Sequence, residues 1–190
     1  MSAVAMYFDK ESKTLYAAND GITISGYSLT ATDAIKLHKG NKCIIGSCGS
    51  TFLGQFFPRH FTKLVDACVK KSKNAVHFGE LITDNLAGTE EWNKVSMITQ
   101  NRSPRSSVVM LIGCRYGLYV AAAPQYDFAR ITEPYSAIGA GESFSKGSLS
   151  SWLESESKAN PEQAVKAAVA AACRGSIAVT GKIRMEKLKV

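Results

Sequence analysis

Two blocks of paired helical segments interrupt three groups of short apolar strands, and that order removes most architectures from consideration. Ala3-Val4-Ala5-Met6-Tyr7-Phe8 reads as a strand, Asp9 to Lys13 as a polar turn, and Thr14-Leu15-Tyr16-Ala17-Ala18 as the returning strand of a hairpin. Further short strands are expected over 21–28 and 35–37, and a buried one over 43–45. Helical periodicity follows over 50–72, where Pro58 is expected to kink or divide the helix, and again from about 76 to 86. Residues 106–114 and 116–123 form a second apolar hairpin around Arg115, with a further strand over 128–132. The turn Gly139-Ala140-Gly141 leads into a helical segment carrying Phe144, Leu149, Trp152 and Leu153. Asn160-Pro161-Glu162-Gln163 is a strong helix start, with Asn160 as cap and Pro161 in the first turn, and that helix runs to about Cys173. A closing hairpin is expected from 176–179 and 183–188. Hairpin-joined strands with helices grouped between them imply an α+β fold with antiparallel sheets, not a βαβ winding.

With 190 residues the chain suits one domain spanning 1–190, with material for a substantial core. It has no apolar run of about 18 residues and no basic start followed by an apolar segment, so neither a membrane span nor a secretory signal is expected. A cytoplasmic location follows as the expectation. The five cysteines (Cys43, Cys48, Cys68, Cys114, Cys173) form no CxxC pair and read as reduced, packed thiols. His38, His60 and His77 lack metal-ligand spacing, so no metal or other cofactor is expected. The net charge of +7 is spread along the chain without interleaved aromatic residues. That pattern argues for solvated faces and against a nucleic-acid surface.

Three residues near the start carry the chemistry. Ser2 lies one step behind Met1, Asp20 ends the first hairpin, and Lys36 follows 16 residues later. With the run Ile44-Ile45-Gly46-Ser47-Cys48-Gly49-Ser50, the segment Tyr135 to Gly141 and the Asn160 helix, this order resembles the β-type subunits of the proteasome superfamily. Those are N-terminal-nucleophile hydrolases, and the chain has the length of bacterial HslV-like peptidase subunits. The resemblance covers nearly the whole chain, including an aspartate-to-lysine spacing of 16. It implies a four-layer αββα sandwich of two packed antiparallel sheets flanked by helices.

The resemblance also implies a mechanism. A hydroxyl is a weak nucleophile without a base beside it. An N-terminal residue carries its own base, an α-amine of ordinary pKa about 8. Ser2 would be that nucleophile once Met1 is removed. Lys36 would lower the proton affinity of the amine and hydroxyl through its charge, Asp20 would orient the lysine, and the Gly46 N–H would meet the developing oxyanion. The implied partners are further copies of the chain in stacked rings, an ATPase unfoldase, and a peptide or unfolded protein as substrate. Three departures support an alternative, a non-catalytic structural or assembly subunit. The family's threonine is Ser2 here, the serine of its glycine segment falls on Ala140, and an acidic position falls on Gly175.

Overall fold

Val4, Met6 and Phe8 alternate with Ala3, Ala5 and Tyr7 along strand β1 (Ala3–Asp9), and both sets are wanted because the strand is covered on both faces. The computed structural model describes residues 2–21, 23–25, 28–31, 35–49, 51–87, 108–123, 127–155, 160–176, 179 and 181–190. β2 (Thr14–Asn19) returns antiparallel to β1 after the Asp9 turn, whose carboxylate accepts the N–H groups of Glu11 and Ser12. In chain order, β3 (Thr23–Ser25) and β4 (Ser28–Ala31) pair as a small ribbon where one strand was expected. Then come β5 (Leu37–Lys39), β6 (Cys43–Gly49) and the helices α1 (Thr51–Lys71) and α2 (Ala75–Ala87). Next are β7 (Val108–Cys114), β8 (Gly117–Ala123), β9 (Asp127–Ile131) and β10 (Tyr135–Gly139). Two more helices, α3 (Glu142–Glu154) and α4 (Pro161–Gly175), precede the final strand β11 (Arg184–Lys189).

The strands form a four-stranded sheet ordered β10-β1-β2-β11 and a five-stranded sheet ordered β5-β6-β7-β8-β9, antiparallel throughout. The sheets face each other across Val4, Met6, Leu15, Ile44, Leu111 and Leu118. Helices α1 and α2 cover the outer face of the larger sheet, with Phe61, Val65, Phe78 and Ile82 against Ile45 and Ile112. Helices α3 and α4 cover the smaller sheet, and the alanines of α4 (Ala164, Ala168, Ala172) let its backbone come close. The architecture is therefore the expected four-layer αββα sandwich. Burying this apolar area is the main stabilising term, at about 25 cal/mol per Å² removed from water.

The structure adds one strand and corrects one reading. Tyr135–Gly139 is a strand, β10, pairing with β1 from Tyr7↔Tyr135 to Ala3↔Gly139. Helix α1 runs undivided through Pro58, held along its second half by Phe61, Val65, Cys68 and Val69 in the core. The last strand pairs with β2. Of the other arm expected for the closing hairpin, residues 177 and 178 lie outside the described residues, as does residue 180 of its turn. The Asn160 cap is as read: its side chain accepts the N–H of Glu162 at 2.9 Å. Four of the five thiols are buried and Cys173 is half-buried, all unpaired, as expected of packed cysteines.

Candidate active site

Asp20 follows the last residue of β2 and is fully buried. Its Oδ1 accepts two hydrogen bonds, from the backbone N–H of Ala3 at 2.7 Å and from Lys36 Nζ at 2.7 Å. In return the Asp20 N–H donates to the Ala3 carbonyl at 3.2 Å. The carboxylate thus clamps the start of the chain to the lysine. Lys36 precedes β5 and is itself buried, with its side chain 7% exposed. It is set in place by its carbonyl, which accepts the Ser47 N–H of β6 at 3.0 Å. A buried ion pair of this kind is a poor source of net stability, because desolvating two charges offsets most of their attraction.

Ser2 is buried at the head of β1, where three strands converge. Its carbonyl lies so near Gly139 that a Cβ there would collide with it, and Gly139 has a φ of +98° that disfavours side chains. Cys48 Sγ also lies 2.9 Å from that would-be Cβ. The thiol donates to the Ile138 carbonyl at 3.6 Å, and the Ser2 side chain is near enough to hydrogen-bond it. Ser2, Asp20 and Lys36, with Cys48 beneath them, therefore form one group. Gly139→Ala is expected to lower stability by about 1–2 kcal/mol from the positive φ alone. Urea unfolding measures this, and an unchanged midpoint contradicts the strain expected of a side chain at the positive φ of Gly139.

Gly46 is not brought into this group. Because Ser47 bonds β5, strand alternation turns the Gly46 N–H toward β7, opposite Leu111. Its α-carbon faces the inter-sheet core, where a Cβ would meet Val4 Cγ1. Val4 is two residues deeper in β1 than Ser2. Gly49 is the glycine at the ladder's end: exposed, with φ +120° and its N–H on the same side as that of Ser47. The two glycines share one run in the sequence, and only the strand register tells their amides apart.

Burial pushes the Cys48 thiol up to about 12, outweighing the pull of Lys36 toward the thiolate. It does the same to Cys114, also to about 12. Cys173, half-buried in α4, is raised first by burial and then by Asp20, with Lys36 opposing. At neutral pH these are inert thiols, not nucleophiles. Their titration has a definite sign. An unfolded cysteine loses its proton near pH 8.5, so up to there both states stay protonated and the contribution is fully present. As pH rises toward about 12 the unfolded chain ionises first, and the stability is lost progressively. The urea midpoint is expected to stay flat from about pH 7 to 8 and to fall by about pH 10. A midpoint that rises over that range contradicts the burial of these thiols.

Among the described residues no group of His, Cys, Asp and Glu is placed to hold a metal ion, and no described helix is long and apolar enough to cross a membrane.

No family model matches the sequence and no curated protein is similar to it in sequence; the likeness lies in three dimensions. HslV of Trypanosoma brucei superposes with a TM-score of 0.70 at 14% identity, covering 99% of both chains. The fold is that of HslV. BPH of Thiobacillus denitrificans, a bacterial proteasome homologue, gives 0.70 at 15% identity over 98% of both chains in its complex with epoxomicin. Without that compound it gives 0.69 at 15%, covering 98% of this chain and 97% of its own. The HslV-like frame accounts for the convergence described above: it brings the first strand, the end of the second and the lead into β5 to one point between the sheets.

Proposed function

We propose that the chain is a peptidase subunit of the N-terminal-nucleophile type, acting through Ser2 after Met1 is removed. The observation that carries this reading is the shared Asp20 oxygen, which holds Lys36 and the Ala3 amide together at the chain start. Freed of Met1, the Ser2 α-amine takes the proton of its own hydroxyl as the oxygen attacks the peptide carbonyl. The carbonyl becomes a tetrahedral oxyanion, which a backbone N–H stabilises; such a donor is worth about 3–4 kcal/mol. We assign that donor to Gly49 and not to Gly46, because Gly46 spends its N–H inside the ladder. The amine returns the proton to the departing nitrogen, the peptide bond breaks, and an ester remains on Ser2. Water, activated by the same amine, releases the acid. The Lys36 charge favours the neutral amine and the forming alkoxide, while Asp20 keeps the lysine oriented.

The epoxomicin complex of the Thiobacillus protein shows which probe to use on this fold. An epoxyketone offers two electrophilic carbons and so reads out a hydroxyl and a free amine on one residue. Wild-type protein is expected to form an adduct at Ser2 and to hydrolyse short peptides. Retained Met1, or an adduct elsewhere, removes the reading.

A second reading rests on two departures from the resemblance. Gly175, where a carboxylate is expected from the resemblance, is covered by the Phe144 ring, and Ala140 supplies no hydroxyl. The amine then lacks those two supports, and the chain serves as a non-catalytic assembly subunit. This reading predicts no epoxyketone adduct on a Met1-free chain. In either role we propose a homo-oligomeric stacked ring, with an ATPase unfoldase and unfolded protein as partner and substrate of the active form. Native mass spectrometry showing only monomer at working concentration contradicts the ring.

A further inference from the structure

Cys43 and Cys114 stand directly opposite each other in β6 and β7. The kind of pair they form can be read from the ladder. Ser47 N–H bonds the Lys36 carbonyl and Gly40 N–H bonds the Cys43 carbonyl, so Cys43, Ile45 and Ser47 direct their backbone groups toward β5. Ile44, Gly46 and Cys48 therefore bond β7, and Cys43 with Cys114 is a non-hydrogen-bonded pair. In such pairs the α-carbons are about 4.5 Å apart and the side chains are at their closest. Disulfides span Cα separations of about 4.4–6.8 Å, so the site lies within reach at the short end of that range. Both side chains point to the same face, into the core beneath α1 and α2, and both are fully buried and unpaired.

We propose that Cys43 and Cys114 are a cross-strand disulfide site, closed when the chain folds in the presence of a small disulfide oxidant and shielded once α1 has docked. With glutathione disulfide the step balances simply. One cysteine thiolate attacks a glutathione sulfur, the S–S bond breaks and one glutathione thiolate leaves. The second cysteine thiolate then attacks the protein sulfur of the mixed disulfide, forming the Cys43–Cys114 bond and expelling the second glutathione. Two protons and two electrons pass from the protein to the oxidant. In the folded state this route is shut. Cys43 Sγ donates to the Thr62 carbonyl of α1 at 3.8 Å, and burial pushes both thiols up, leaving little thiolate to attack. The pair joins residues 71 positions apart, a long loop whose closure restricts the unfolded chain. It lies five residues from Cys48 along β6, about 17 Å at strand spacing, so closing it leaves the Ser2 group untouched.

Cys68 of α1 packs in the same core and is the natural competitor. The test is to unfold the whole chain, refold it with reduced and oxidised glutathione, and map the disulfides by mass spectrometry, in wild type and in Cys68→Ser. The expected product has lost two hydrogens, yields one linked peptide joining Cys43 and Cys114 in both proteins, and melts roughly 5 °C or more above the same sample reduced with dithiothreitol. Native protein exposed to the same buffer without unfolding stays reduced. Free thiols at both positions after refolding, a Cys43 or Cys114 linkage to Cys68, or oxidation of the native state as fast as during refolding overturns the proposal.

Discussion

Ser2→Ala is expected to abolish epoxyketone labelling and to lower peptide hydrolysis at least about a thousandfold, with little effect on the fold. The substitution removes one oxygen and nothing else the site uses. Alanine is as small as serine, so Met1 removal is kept and the α-amine is still freed. The Ala3 N–H, which anchors the chain start to Asp20, is unaffected. What disappears is the atom that forms the ester, and neither Lys36 nor Gly49 can replace it. The hydroxyl's contact with the Cys48 thiol is lost as well, a loss on the order of 1 kcal/mol or less. Activity and stability should therefore separate: hydrolysis gone, urea midpoint almost unmoved. Equal hydrolysis by the two proteins would place the chemistry elsewhere.

Lys36→Met is expected to cost stability as well as activity. It leaves the fully buried Asp20 carboxylate with the Ala3 amide and no counter-charge among the described residues. Removing one partner of a buried pair typically costs about 3–5 kcal/mol, far more than deleting a surface ion pair. Adding Asp20→Asn to the same chain removes the stranded charge and keeps an acceptor for the Ala3 N–H. The double variant is therefore expected to be more stable than Lys36→Met alone, while activity stays lost. Denaturant unfolding of the two single variants and the double variant measures the coupling. Additive losses would mean that the pair does not act as a unit, and the orientation of Lys36 by Asp20 would fail with it. The exposed pair Lys39–Glu186, at 3.7 Å, serves as the control, since breaking it should cost at most about 1 kcal/mol.

Much of this geometry was legible in the residues. Asp20 and Lys36 are charged positions next to apolar strands, and the resemblance, through its aspartate-to-lysine spacing of 16, linked them before any contact was known. The antiparallel layers followed from hairpins and grouped helices. What was hidden depended on register. Nothing in Ile44-Ile45-Gly46-Ser47-Cys48-Gly49 tells which amide is used by the ladder, because that parity is set by Ser47 meeting Lys36 just ahead of β5. Strand β10 was hidden for a related reason. Tyr135-Ser136-Ala137-Ile138-Gly139 is short, begins after Pro134 and runs into glycine, so its local signals are those of a turn. Its strand character comes from pairing with β1, far away in sequence. Pro58 was read by its local rule alone, whereas the apolar face that follows it is anchored in the core and α1 continues as one helix. The Cys43–Cys114 pairing likewise exists only once β6 and β7 are aligned.

The central claim is that the chain start is a working nucleophile held by Asp20 and Lys36. Intact-mass and peptide-level mass spectrometry of native protein, before and after incubation with an epoxyketone, tests it most directly. The account predicts a chain that begins at Ser2 and gains one adduct, located on that residue and absent from Ser2→Ala. A chain that keeps Met1, or one that begins at Ser2 and gains no adduct, would contradict it.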